Sequence, residues 1–210
     1  MQEEILISNV KQKKLIKAHQ NNLEISKKNL SNKFEKFEEN VLKESETLLY
    51  ETTVKPSNFK RYARGRIVKV KFGVNIGSEF SGDHFAIVVS KGDTMKNPVL
   101  HVIPITSKAH IKNVEIGPIL YNENELTKLS QQIELSNDKK EIKKINQCIK
   151  YYQNRKNKIS YACVDHLKTI SKLSVLKPIN EFDYLPNLKC SLEIMKKIDE
   201  AIINEYTILI

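Results

Sequence analysis

Glu79, Ser81, Asp83 and His84 fall within six residues, between a strand-like run and an apolar run. Downstream come His101, then Thr106, Ser107 and Lys108, then Asp165, His166 and Lys168. Imidazole is the side chain whose ordinary titration lies near neutrality, so Glu79 and His84 offer an acid–base pair. Thr106 and Ser107 offer hydroxyls, and the lysines offer cations for phosphate. On a basic chain this set suits phosphodiester chemistry on nucleic acid. Each residue also has an ordinary structural role. Glu79 can cap a loop, His84 can be a half-buried hydrogen-bonding histidine, and Thr106 can close a strand. Asp165 can cap the turn that follows it. His101 sits among apolar neighbours and reads as structural, and His110 and His166 have no partner that spacing identifies. No G-x-x-x-x-G-K-[ST] or G-x-G-x-x-G is present, so the common nucleotide-binding loops are excluded.

The charge supports a polyanionic partner. The 210 residues carry 35 basic and 25 acidic side chains, a net charge of +10. Residues 61–120 hold 9 basic and 4 acidic side chains and residues 121–160 hold 9 and 5, whereas the last fifty hold 6 and 7. The surplus therefore sits on the part of the chain that carries the polar residues above. Cys148, Cys163 and Cys190 are widely spaced and read as reduced thiols of a cytoplasmic protein. No His/Cys/Asp cluster suggests a metal and no motif suggests a cofactor. The N-terminal MQEEILISNVKQKK lacks the apolar core of a signal peptide, and no run is long enough to span a membrane.

The elements that would position these groups are strands flanked by helices. Residues 66–72 alternate basic and apolar side chains, which predicts a half-buried strand with Lys69 and Lys71 on its open face. Gly73–Gly82, with three glycines and two serines, predicts a loop of unusual backbone angles. Phe85–Val89 reads as a buried strand, Val99–Ile105 as a third, and Ile111–Ile116 as a fourth at an edge. Ser160–Ile170 is a strand and turn.

Helices surround this unit. Leu30, Phe34, Phe37 and Val41 share one helix face, with Ser31 or Asn32 as an N-cap, so residues 1–50 form one or two helices. Pro56 and Ser57 mark a linker. Residues 122–158 contain no Gly or Pro. Their stripes Leu126/Leu129/Ile133 and Ile142/Ile145/Ile149/Tyr152, split by Ser136-Asn137-Asp138, predict a helical hairpin. The stripes are narrow, so the hairpin is expected to project from the core. Leu188, Leu192, Met195, Ile198, Ile202, Tyr206 and Leu209 predict a C-terminal amphipathic helix. The organisation is a helical extension and linker over 1–60, then a sheet domain over 61–210 interrupted by the hairpin 122–158.

Three blocks in order resemble the MazF/PemK family of toxins from bacterial toxin–antitoxin pairs. The first is Arg64-Gly65-Arg66, Gly77-Ser78-Glu79 and Gly82-Asp83-His84-Phe85 before the aliphatics Ala86–Val89. The second is Pro104-Ile105-Thr106, and the third is Asp165 with Lys168-Thr169-Ile170. The resemblance implies an α+β fold: a small SH3-like antiparallel β-barrel with a C-terminal helix. It also implies a homodimer that cuts single-stranded RNA without a metal ion or other cofactor. An antitoxin would hold it inactive by filling the groove, and DNA would be reached through the antitoxin complex. The family's catalytic threonine falls on Thr106 and its acidic residue on Asp165. Its usual arginine falls on His84, the following proline on Phe85, and a second arginine on Cys163.

The residues and the resemblance together give an expected site of His84, Thr106, Glu79 and Asp165 for catalysis. Lys69, Lys71, Ser78, Ser81, Ser107, Lys108 and Lys168 would contact nucleic acid. Histidine can move a proton but is not a permanent bidentate cation as arginine is. Two outcomes stay open: His84 acts as acid or base with a lysine as the cation, or the same barrel is a non-catalytic module that binds nucleic acid or a partner. A third, action on a protein such as a topoisomerase, predicts loss of supercoiling without RNA loss. The N-terminal helices and the hairpin would clasp a dimer, mask the groove or extend the RNA surface.

Overall fold

A strand of eight residues, β3 (Val99–Thr106), is the hub of the fold. Its centre pairs antiparallel with β2 (Asp83–Val88), matching Ala86 to Pro104 and Val88 to Val102. Its start pairs with β6 (Lys168–Ser171) and its end with β5 (Ser160–Ala162). β1 (Ile67–Lys71) lies on β2, and β4 (Val114–Gly117) lies on β5. The order is β1-β2-β3-β5-β4 with β6 on β3, a six-stranded antiparallel sheet. Beyond β6 an isolated bridge joins Val175 to Val70, and the Leu176 N–H donates to the Lys69 carbonyl at 2.8 Å. The computed structural model describes residues 2–28, 34–53 and 59–207.

Side chains alternate across the pleat, so each strand serves two faces. Val68, Val70, Phe72, Ala86, Val88, Leu100, Val102 and Ile170 pack on one face, with Tyr62, Phe80 and Val175 over them. Ile67, Ile87, Ile103 and Ile105 pack on the other, against helices. Those helices are α3 (Glu123–Leu135), α4 (Lys139–Gln153) and α5 (Leu192–Tyr206). Each starts on a side-chain cap: Asn122 accepts from Glu125 N–H, Asp138 from Lys140 N–H, and Ser191 from Ile194 N–H.

The hairpin does not project. Leu126, Leu129, Ile145, Cys148 and Tyr152 are buried in the same cluster as Ile67, Ile87 and Ile103. Two or three large side chains per helix suffice because the sheet supplies a complementary apolar face. The open face expected for Lys69 and Lys71 is also corrected. Lys71 Nζ donates to the Asn40 carbonyl at 3.2 Å, while Lys69 Nζ lies 5.6 Å from the centre of the Tyr151 ring and 4.0 Å from Asp83. Their stems lie under neighbouring elements while their ammonium groups reach polar atoms. The C-terminal helix begins at Leu192, not Leu188, because Ser191 caps it.

The N-terminal part forms α1 (Gln2–Ser26) and α2 (Phe37–Thr53). Phe37 and Asn40 of α2 are buried. The expected cap Ser31 or Asn32, Leu30, the linker residues Pro56 and Ser57, and Leu209 lie outside the described residues. From residue 9 to 28 no side chain of α1 is buried; Leu15 is 71% exposed. Removing residues 1–28 should therefore leave the urea midpoint of the remainder unchanged within about 0.5 kcal/mol of stability. A larger loss would mean that α1 packs on the fold in solution.

Candidate active site

The loop between β1 and β2 is closed by its glycines. Phe72 N–H donates to the Gly82 carbonyl at 2.8 Å and Gly82 N–H to the Gly73 carbonyl at 2.6 Å. Gly73 and Gly82 have φ of 72° and 80°, a region that strains any residue with a Cβ. Ser81 braces the loop: its hydroxyl oxygen accepts from Asn75 N–H at 3.0 Å. Ser78 and Glu79 are exposed at its tip, and Phe80 turns inward over the Val70–Phe72 face.

Antiparallel partners share a face of the sheet. His84 is opposite Val70, and Lys168 is opposite Val102. Side chains alternate along β3, so Thr106 falls on the same face as Val102, four residues before it. His84, Thr106 and Lys168 thus share the face that Phe80 covers. Lys69 and Lys71, one residue out of phase with Val70, lie on the other face. The structure therefore separates the two β1 lysines from the rest of the expected site.

His84 is half-buried. Its Nε2–H donates to the Ser81 carbonyl at 3.0 Å, and its ring meets Phe80 edge-on at 4.9 Å. Burial lowers its pKa below the ordinary 6.5 and outweighs the carbonyls of Ser81 and Ile105, which favour the charged ring. The folded pKa lies below the unfolded one, so the neutral ring is native. Stability should fall as pH drops from about 6.5 toward the folded value, and His84→Gln should remove part of that fall. A histidine NMR titration that places His84 above 6.5 would contradict this.

Glu79 does not pair with His84. Its Oε2 lies 3.3 Å from Lys168 Nζ, which ties the loop tip to β6. Thr106 Oγ1 accepts from Lys108 N–H at 3.2 Å, and the Lys108 carbonyl accepts from the Asn113 side chain. Ser107 and Lys108 are exposed beyond this turn. Asp165 is exposed on the turn Val164–His166, where its Oδ1 lies 4.0 Å from His166 Nε2. Two elements fix that turn: Cys163 N–H donates to the Pro104 carbonyl at 2.9 Å, and Tyr206 of α5 donates to the Val164 carbonyl at 2.9 Å.

The partner that spacing left unidentified for His166 is Phe80. Their rings meet edge-on at 5.0 Å, so Phe80 is wedged between His84 and His166. Nothing in the spacing of residues 80 and 166 announces that contact. Cys163, at the position of an expected arginine, is buried, and burial pushes its thiol up to about 12. Among the described residues no group of three or more His, Cys, Asp or Glu side chains is arranged to hold a metal ion. No helix among them is long and apolar enough to cross a membrane. A cleft of about 790 Å³ lies elsewhere, between α2 and residues 171–177, with Lys43, Lys71 and Lys177 among its walls.

Among curated proteins none matches the chain. Among solved structures, a crystal structure of MazF (Form-I) from Deinococcus radiodurans is similar at 11% identity, with a TM-score of 0.37, over 70% of this chain and 96% of that one. The family model described as the PemK-like, MazF-like toxin of type II toxin–antitoxin systems matches residues 63–204, about two thirds of the sequence and every strand of the sheet. The chain belongs to the PemK-like, MazF-like toxin family.

Proposed function

We propose that this chain is the toxin of a type II pair and an endoribonuclease that cuts single-stranded RNA without a metal ion. The reading rests on family membership and on one observation. His84, Thr106 and Lys168 share one face of the sheet beneath the Gly77–Gly82 loop, and the Asp165 turn is tied to the end of β3. In such a reaction a base removes the 2′-OH proton and the 2′-oxygen attacks phosphorus. The 5′-oxygen then leaves as an alcohol, giving a 2′,3′-cyclic phosphate and a 5′-OH. Lys168, once released from Glu79, supplies the cation that stabilises the phosphorane oxygens, and the Thr106 hydroxyl donates to one of them. Ser78, Ser107 and Lys108, all exposed beside the site, contact the RNA backbone. Lys69 and Lys71 serve the opposite face.

Residues 61–210 act as the toxin unit with 122–158 as its insertion, and residues 1–60 as an extension. The expected partners are an antitoxin that fills the groove, a second copy in a homodimer, and DNA through the antitoxin complex. The expected compartment is the cytoplasm. A second reading, a non-catalytic nucleic-acid-binding module, is favoured by one observation: the half-buried, neutral His84 cannot replace a permanent guanidinium. Incubation with single-stranded RNA in EDTA separates the two. Cleavage that falls about 10²-fold in Thr106→Ala supports the ribonuclease. Salt-sensitive binding with no cleavage supports the module.

A further inference from the structure

We infer that His166 is the general base of this site and that His84 acts only as a positioning residue, through Phe80; this rests on the ribonuclease reading above. Of the five histidines, His84 has Nε2 committed to the Ser81 carbonyl and is kept uncharged by burial. His101 is engaged with the Ser90 hydroxyl, and Nδ1 of His110 accepts the Lys112 N–H. His19 lies on the exposed helix α1. His166 is the histidine that combines an accessible ring, 37% exposed in its side chain, with a carboxylate beside it at 4.0 Å.

Its surroundings fit a proton acceptor. Asp165 sets a carboxylate 4.0 Å from Nε2, a negative charge beside the ring that takes the proton. The ring is held at one edge by Phe80, 5.0 Å away at 77°. The backbone beneath it is fixed, since His166 N–H donates to the Cys163 carbonyl at 3.1 Å and Cys163 N–H to the Pro104 carbonyl at 2.9 Å. Pro104 is two residues before Thr106, so the imidazole stands beside the strand end that carries the hydroxyl. Lys168, two residues on, brings an ammonium to the same place, now neutralised by Glu79 at 3.3 Å. A phosphate that displaced Glu79 would meet the Lys168 ammonium.

The step balances. The His166 imidazole takes the 2′-OH proton as the 2′-oxygen forms its bond to phosphorus. The bond from phosphorus to the 5′-oxygen breaks, and that oxygen takes a proton from water. The imidazolium then returns its proton to solvent. No oxidant, reductant or co-reactant is required.

The test uses the full chain and a defined single-stranded RNA. His166→Ala is expected to lower kcat by about 10²–10⁴-fold with KM and RNA binding little changed. Added imidazole should restore part of the lost rate to His166→Ala and none to Thr106→Ala. Phe80→Ala, which lets the ring swing, should lower kcat less than His166→Ala and gain nothing from imidazole. An unchanged melting temperature in His166→Gln, with the same loss of rate, separates lost chemistry from lost folding. Wild-type cleavage with an undiminished rate in His166→Ala overturns the inference alone. A rate lost with no rescue by imidazole, together with a lowered melting temperature in both His166 variants, assigns the residue a structural role and also overturns it. No cleavage by the wild type overturns the ribonuclease reading and the inference with it.

Discussion

Lys172→Met should lower the stability of the protein by about 3–5 kcal/mol, the cost of leaving one member of a buried ion pair alone. Lys172 follows β6, and its side chain is 2% exposed; that of Asp93, in the turn between β2 and β3, is fully buried. Lys172 Nζ lies 2.8 Å from Asp93 Oδ1 and donates to the Thr94 carbonyl at 2.8 Å. Asp93 Oδ2 accepts the Tyr62 N–H at 2.8 Å, which fastens the segment leading into β1. Three chain segments therefore meet at one carboxylate. Burial alone would raise the Asp93 pKa, but Lys172 and the N–H groups of Tyr62 and Thr94 outweigh it and hold the carboxyl below the ordinary 3.8. With the folded pKa below the unfolded one, the contribution is fully present above about pH 3.8 and is lost as pH falls through the folded value. Urea melts at pH 7 measure the loss. The double variant Lys172→Met/Asp93→Leu should cost less than the sum of its parts, because the stranded charge is gone. Strict additivity would show that the pair is not coupled.

Tyr152→Ala should cost a similar amount, about 3–5 kcal/mol, because a fully buried ring is lost and leaves a cavity. Tyr152 stacks on Tyr184 with ring centres 4.0 Å apart and meets Tyr151 edge-on at 5.0 Å. Its hydroxyl donates to Asp183, which also accepts from the N–H groups of Ile179 and Leu185 at 2.8 and 2.9 Å. This is the dock that fastens α4 to the segment before α5. Tyr152→Phe keeps the stack and removes one donor from a buried carboxylate, so it should cost about 1–3 kcal/mol. Equal costs for the two variants would mean that the hydrogen bond, not the ring, holds the hairpin.

Regular elements were legible where one local rule decided them. Alternation and the aliphatic run mark β1 and β2, and Asp138 announces α4 because a cap acts within its own turn. What was not legible depends on a second layer. Lys69 and Lys71 alternate as a solvent-facing row would, yet polar atoms of α2 and β2 meet their ammonium groups. The hairpin's narrow stripes look insufficient until the face of Ile67, Ile87 and Ile103 is set against them. The site divides in the same way. Thr106 and His84 can be read from their motif blocks. The contact of Phe80 with His166 joins residues far apart in sequence and exists because β3 pairs with β2, β5 and β6 at once.

The most direct test of the account is the end-group chemistry of RNA treated with the pure protein in EDTA. The expected products carry a 2′,3′-cyclic phosphate and a 5′-OH, at a rate that Thr106→Ala reduces about 10²-fold. Intact RNA after prolonged incubation, or cleavage that appears only when a divalent cation is supplied and leaves a 5′-phosphate, would contradict it.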